Sequence, residues 1–229
     1  MAKAFGNTQG KASGAQNNFT FEDGTNIFRI VGGILPRYVY WNKTTEGKPI
    51  AIECLHFNRD TESFDRAEQD WHAELFPYQL DKAGNPEIDN KTGEPKRRYC
   101  SWAYAALCLT EQGEVKVMNL KKKMYAQIQT LANKLGDPTD PETGWWIAVD
   151  KTKTGPLAFN VEYTVDQLTS SEGKRPLTDA ERAAVEKSKD IDELLKRPTP
   201  EEIHAIIREK ILGESAGATT EDKEGVSDV

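Results

Sequence analysis

From Ser170 to its end the sequence holds no Phe, Tyr or Trp, and nowhere does it approach the roughly 20 consecutive apolar residues that a helix needs to cross a bilayer. No membrane partner is expected. Met1–Asn18 contains no hydrophobic run of the secretory kind, so the chain is expected to remain in the cell that makes it. Cysteine is scarce: Cys54, Cys100 and Cys108 form neither an even set nor a C-x-x-C pair, which argues against a disulfide framework. Cys54, His56, His72 and Cys100 are of metal-ligating type, but the two close pairs of a usual zinc site are missing, and no metal or other cofactor is expected. Also absent are a G-x-x-x-x-G-K-[ST] phosphate loop, an H-E-x-x-H helix and a G-x-S-x-G nucleophile elbow. The sequence does not read as an enzyme. Asp137, Asp140 and Glu142 stand among prolines and read as a surface turn.

What is present is enough apolar matter for one well-filled core, or one core with a smaller appendage, and a single domain is expected: 229 residues, 37% of them hydrophobic. The formal net charge is -7. Against that acidic balance the run KRRYCSWAYAALCLTEQGEVKVMNLKKKMY, from Lys96 to Tyr125, sets basic clusters at both ends of two strand-like segments that carry aromatic rings. Rings for bases beside cations for phosphates are the composition of a platform for single-stranded nucleic acid.

Periodicity gives the elements. IFRIVGGILP (27–36) reads as a strand ending in a Gly32–Gly33 pair, YVYW and KPIAIECLHF as further strands, and FDRAEQDWHAEL (64–75) as a short helix. Asp81–Pro95 is an exposed excursion with two tight turns, at Gly84-Asn85 and Thr92-Gly93. Tyr99–Thr110 and Glu114–Asn119 form a predicted hairpin around Gln112-Gly113, followed by a helix over 120–135 that starts with three lysines. Lysines in a first helical turn oppose the helix's own dipole and suit an anionic partner. WWIAVD and LAFNVEYTVDQL complete the strands, joined by a loop bearing Lys151 and Lys153. This order fits a small, partly open barrel elaborated by insertions, and equally an α+β sheet.

After Ser170 the text is helical. Thr178 with Glu181 marks a capping box, and Thr199 with Pro200 marks a second helix start. Ile203, Ile206, Ile207 and Ile211 give the last helix an apolar face that must lie against the barrel or another copy of the chain. The expected domains are a flexible arm (1–18), a binding core (19–169), a helical segment (170–213) and a disordered acidic tail (214–229). In that tail Glu221, Asp222, Glu224 and Asp228 form an anionic segment able to occupy a cationic groove or to recruit proteins.

FRIVGGILP, KRRYCSWAYAALCL, EVKVMNLKKKMYAQI and the pair WWIAV and PLAFNVEY, taken in this order, resemble the core of the T4-type bacteriophage single-stranded DNA-binding, or helix-destabilising, proteins. The resemblance covers roughly Phe19–Val165. It implies a mainly β fold with helical additions: an elaborated OB-fold, a five-stranded partly open barrel, plus the C-terminal helices. It further implies coating of unpaired DNA in phage replication, recombination and repair, in the cytoplasm of the infected host. Replisome and recombination proteins would be recruited through the acidic tail, and copies would associate along the strand. Two features depart from that family. The zinc subdomain with one histidine and three cysteines is missing, and Met1–Asn18 carries only Lys3 and Lys11 where the family has a basic arm.

The expected stacking residues are Trp41, Tyr99, Trp102, Tyr104 and Trp146. For the backbone they are Arg29, Arg37, Arg59, Lys96, Arg97, Arg98, Lys121, Lys122, Lys123, Lys151 and Lys153. Alternation along a strand sends Tyr99 opposite to Trp102 and Tyr104, and sends one of Trp145 and Trp146 inward. The alternative reading is a structural or adaptor protein that acts through its C-terminal helices and acidic tail.

Overall fold

A computed structural model describes residues 18–157, 160–169 and 173–214; the acidic tail residues and the N-terminal arm before Asn18 lie outside the described residues. The chain divides into two compact units that do not follow the expected contiguous segments. The first runs to Arg37 and resumes over Trp102–Arg197; the second comprises Tyr38–Ser101 and the residues from Pro198.

The first unit is built on β1 (Gly24–Leu35), whose length lets it serve two partners. Its first half pairs antiparallel with β9 (Ile147–Lys153), Gly24 opposite Lys151 and Phe28 opposite Ile147. Its second half pairs antiparallel with β7 (Ala105–Thr110), and the register shifts between Val31 and Ile34. The cause is the Gly32–Gly33 pair: Gly32 takes a φ of 75°, open to glycine at no steric cost, and the resulting bulge bends the strand. The predicted hairpin joins β7 to β8 (Val115–Asn119), with Gly113 at φ 77° in its turn. β10 (Val161–Gln167) pairs with β9, giving the five-stranded antiparallel order β10-β9-β1-β7-β8. This mainly β arrangement is consistent with an OB-like fold whose barrel is not closed.

Both edges of that sheet are covered. Beside β10 lies α2 (Lys122–Leu135), where Gln127 accepts a hydrogen bond from the Val165 N–H at 2.9 Å and donates to the Tyr163 carbonyl at 3.3 Å. Beside β8, the Phe19 N–H donates to the Val117 carbonyl at 2.8 Å. One side of the sheet packs Val31, Leu107, Leu109 and Trp146 against Leu177 and Ile191, the last from α4 (Ile191–Leu194). Between them α3 (Asp179–Lys187) begins with the expected box: Thr178 accepts from the Glu181 N–H and Glu181 accepts from the Thr178 N–H.

The second unit holds β2 (Tyr38–Lys43) antiparallel to β3 (Pro49–Glu53), and the small ladder of β4 (Phe57–Asn58) with β5 (Ser63–Phe64). The helix expected over 64–75 is only α1 (Trp71–Leu75). Phe64 is spent on β5, Arg66 sits at φ 54°, and the buried Asp70 carboxylate caps the helix by accepting from the Ala73 N–H. The Asp81–Pro95 excursion makes its two turns, with Gly84 at φ 88° and Gly93 at φ 74°. The expected single strand from Tyr99 is split into β6 (Ser101–Trp102), where the chain leaves this unit, and β7. The last helix, α5 (Pro200–Ile206), continues as a π-helical turn over Ile207–Leu212. Its apolar face is used inside the unit: Ile203 and Ile207 are buried, and His204 stacks on Trp71 of α1 with centroids 4.2 Å apart. No helix among the described residues is long and apolar enough to cross a membrane.

Candidate nucleic-acid interface

In the first unit the site grows from strand period and a helix start. Trp102 and Tyr104 are two residues apart, so they share a side, and their rings stack with centroids 3.5 Å apart. Tyr125, one turn into α2, tilts against both at 5.5 and 5.9 Å. The Trp102 indole is pinned by its N–H, which donates to the Leu120 carbonyl at 2.9 Å. Tyr104 is buried and Trp102 half-buried, so only the indole of this pair offers a face outward.

Beside the indole lies the N-terminus of α2. Its N-cap is Lys121, no side chain caps it, and its first turn holds no acid. The first amide donors of the helix are therefore open, and their partial positive charge adds to Lys121, Lys122 and Lys123, all three exposed. The Lys122 ammonium stands 6.0 Å from the Trp102 ring centroid, within cation–π range. Lys153, at the end of β9, is also exposed.

In the second unit Trp41, Phe64 and Tyr99 are the open rings among the described residues, 58%, 53% and 74% exposed, with Arg97 exposed beside Tyr99 in sequence. Arg98 is a strut. Its guanidinium donates to the Trp41 carbonyl and to the Asn42 side-chain oxygen, the latter at 2.8 Å, which fixes the residue bearing the open indole.

Several sequence expectations are corrected by burial or prior engagement. Trp145 and Trp146 are both buried, at 0% and 4% exposure, and Trp146 packs with Leu177 and Ile191, so neither ring is offered to a base. Arg29 is 0% exposed and donates to the carbonyls of Arg175 and Asp140, so it holds the core together and cannot reach a phosphate. Arg59 is clamped on Glu53 in a two-pronged ion pair at 2.7 and 2.6 Å with little solvent access. Tyr104 lies behind Trp102 as its backing. Arg37 donates to the Ala103 carbonyl and Asn119, Lys96 pairs with Glu87, and Lys151 pairs with Asp23, each at a partly exposed position, so these three stay candidates for the backbone. Sequence reading missed Tyr125 as part of the stack. Its i, i+3 spacing from Lys122 on one helix was the available signal.

Cys54 and Cys100 share a thiol hydrogen bond, and Cys54 also donates to the Tyr40 hydroxyl at 3.3 Å. The bond to Cys100 and then burial keep the Cys54 thiol protonated, while the same bond pulls the Cys100 thiol down. Among the described residues no group of three or more His, Cys, Asp or Glu is arranged to hold a metal ion.

No protein-family model matches the chain. A protein of Escherichia phage T5, named a probable ssDNA-binding protein, is 35% identical to it over 185 residues, which is 80% of this chain and 67% of that protein. Identity of that level over most of both sequences requires common descent and a shared fold, so this chain belongs to the same family as the probable ssDNA-binding protein of Escherichia phage T5.

Proposed function

We propose that this protein binds single-stranded DNA without reading its sequence, and that it coats and protects unpaired phage DNA in the cytoplasm of the infected host during replication, recombination and repair. The observation that carries the reading is the uncapped, three-lysine start of α2 beside the half-buried Trp102 indole, with the Lys122 ammonium 6.0 Å from its ring centroid. Lysines and helix amides attract phosphates, and the indole offers a sequence-tolerant stacking surface worth roughly 1–3 kcal/mol per base. The T5 relative's name supports the same ligand. In this reading Trp102, Trp41 and Tyr99 stack on bases, and Lys121, Lys122, Lys123, Lys153 and Arg97 meet phosphates.

The work is thermodynamic. A ligand selective for unpaired strands pulls duplex melting forward by mass action, with no turnover. Kinship with the T4-type proteins, recruitment of replisome and recombination proteins by Glu221, Asp222, Glu224 and Asp228, and association of copies along the strand belong to the same proposal. Burial of Ile203 and Ile207 of the last helical segment within the chain itself favours this reading over an adaptor acting through its C-terminal helices and acidic tail.

The test is titration of intrinsic tryptophan fluorescence with oligothymidine at increasing salt. Quenching that weakens as salt rises is expected. Absence of any binding at low salt, by fluorescence and by gel shift, would overturn the proposal.

A further inference from the structure

The second unit contains a cavity of about 440 Å³ in whose lining Tyr99 and Arg97, named above, are joined by Phe64 and Arg66. Its size falls in the range of pockets that enclose small organic groups. Buried Tyr40 and Cys54 line its closed part, and the exposed side chains of Phe64, Arg66, Arg97 and Tyr99 line its mouth. Phe64 is 53% exposed even with its ring set edge-on to Tyr38 and Phe57 at 5.0 and 5.2 Å, and Tyr99 is more open still. Phe64 and Tyr99 thus bring two solvent-exposed aromatic rings to the lining of one cavity.

Two of the three arginines that line it are uncommitted, the third being the Arg98 strut. Among the described residues neither Arg66 nor Arg97 makes an ion pair, and Glu74 is the one acid lining the cavity. Arg66 is held at φ 54°, a left-handed conformation that costs a non-glycine residue roughly 1–2 kcal/mol. Its surroundings enforce this geometry. The Asp65 carboxylate accepts from Asn58 at 2.7 Å and from the Ala67 N–H at 3.0 Å, the Asn58 side chain accepts from the amides of Asp60 and Thr61, and the Arg66 N–H donates to the His56 carbonyl. A strained residue fixed by a network, carrying a free guanidinium to a cavity mouth, is the kind of outlier that marks a ligand clamp.

We propose that this cavity is a nucleotide pocket that takes one unpaired base turned out of the bound strand, stacked by Phe64 and Tyr99, with Arg66 and Arg97 on the flanking phosphates. The inference rests on the single-strand-binding reading and deepens it. A base paired within a duplex cannot enter without unpairing, so the pocket supplies selectivity for unpaired DNA that phosphate attraction alone cannot give. Glu74 is placed to accept a hydrogen bond from a ring N–H or exocyclic amine at the same mouth.

The test uses the full chain and two labelled probes of equal length, oligothymidine and an abasic oligonucleotide with the same backbone, read by fluorescence anisotropy. Tyr99→Ala and Phe64→Ala are expected to weaken oligothymidine binding roughly 5- to 100-fold while leaving abasic binding unchanged, because only the first probe has rings to stack. Tyr99→Phe, which keeps the ring, should bind like the unaltered protein. Arg66→Ala and Arg97→Ala should weaken both probes alike. Unaltered oligothymidine binding by Tyr99→Ala, or equal losses on both probes, would overturn the pocket while leaving single-strand binding intact. Failure of the unaltered protein to bind either probe at low salt would instead sink the broader reading and the pocket with it.

Discussion

The Trp102 indole lies almost parallel to the Tyr104 ring, 13° between planes and 3.5 Å between centroids, with the phenol buried behind and the indole half open in front. A backed ring is a rigid platform: its orientation is settled before a base arrives, so little side-chain entropy is lost on stacking. Trp102→Ala is therefore expected to weaken oligothymidine binding by roughly 5- to 100-fold, and Trp102→Phe by less. Anisotropy titration checks this, with thermal unfolding of each variant to separate lost stacking from lost stability.

The lysines at the start of α2 should act through counterion release. If each of Lys121, Lys122 and Lys123 meets one phosphate, changing all three to Ala removes about 0.7 per contact from the slope of log affinity against log salt, roughly 2 in all. Measuring affinity across a salt series gives the slope directly. An unchanged slope would mean that the three are a solvated helix end.

Arg29 and Gly144 form a structural prediction with no DNA in it. The buried guanidinium bridges the Arg175 and Asp140 carbonyls, and a Cβ on Gly144 would lie 2.5 Å from the Pro138 carbonyl oxygen and 2.7 Å from Arg29 Nη2. Neither the backbone nor the held guanidinium can yield cheaply. Gly144→Ala is expected to cost about 1–3 kcal/mol by overpacking. Arg29→Ala, which strands two carbonyls and opens a cavity, should cost more, about 3–5 kcal/mol. Denaturant unfolding measures both.

Stability should fall with acid in two separate windows. Burial, and then the charge of Arg98, push the His72 imidazole down to about 4 from its ordinary 6.5. The unfolded chain thus takes up a proton that the folded chain refuses, and stability drops as pH falls from about 6.5 to about 4. Glu181 is the carboxylate case. Its hydrogen-bonded pairing with Arg175 holds it down to about 2 from 4.5, so its contribution is present above 4.5 and is lost as pH falls toward 2. In thermal unfolding across pH, His72→Gln should flatten the upper window and Glu181→Gln the lower one.

The elements that local sequence could specify were legible. The Gln112-Gly113 hairpin, the long helix after it, the Thr178 capping box and the Thr199 helix start rest on residues within a few positions of one another. The expected helix over 64–75 went astray because its period-3.6 pattern held while a glycine-free left-handed turn at Arg66 broke it, which side-chain bonds from Asn58 and Asp65 impose. The insertion of a second compact unit between β1 and β7 was equally hidden, since its boundaries at Arg37 and Trp102 carry no linker composition.

By itself the sequence determined the strand and helix periods, the caps, and the interleaving of rings with cations from Lys96 to Tyr125, because each of these is a relation between near neighbours. Only the tertiary structure decided which of those groups remain available. Trp146 is spent because Leu177 and Ile191 return over it, Arg29 because two distant carbonyls claim it, and Arg98 because β2 does. Tyr40, Phe64 and Tyr99 meet around one cavity although they are scattered through the second unit. Burial and partnership are long-range outcomes of packing, and a side chain's type does not carry them.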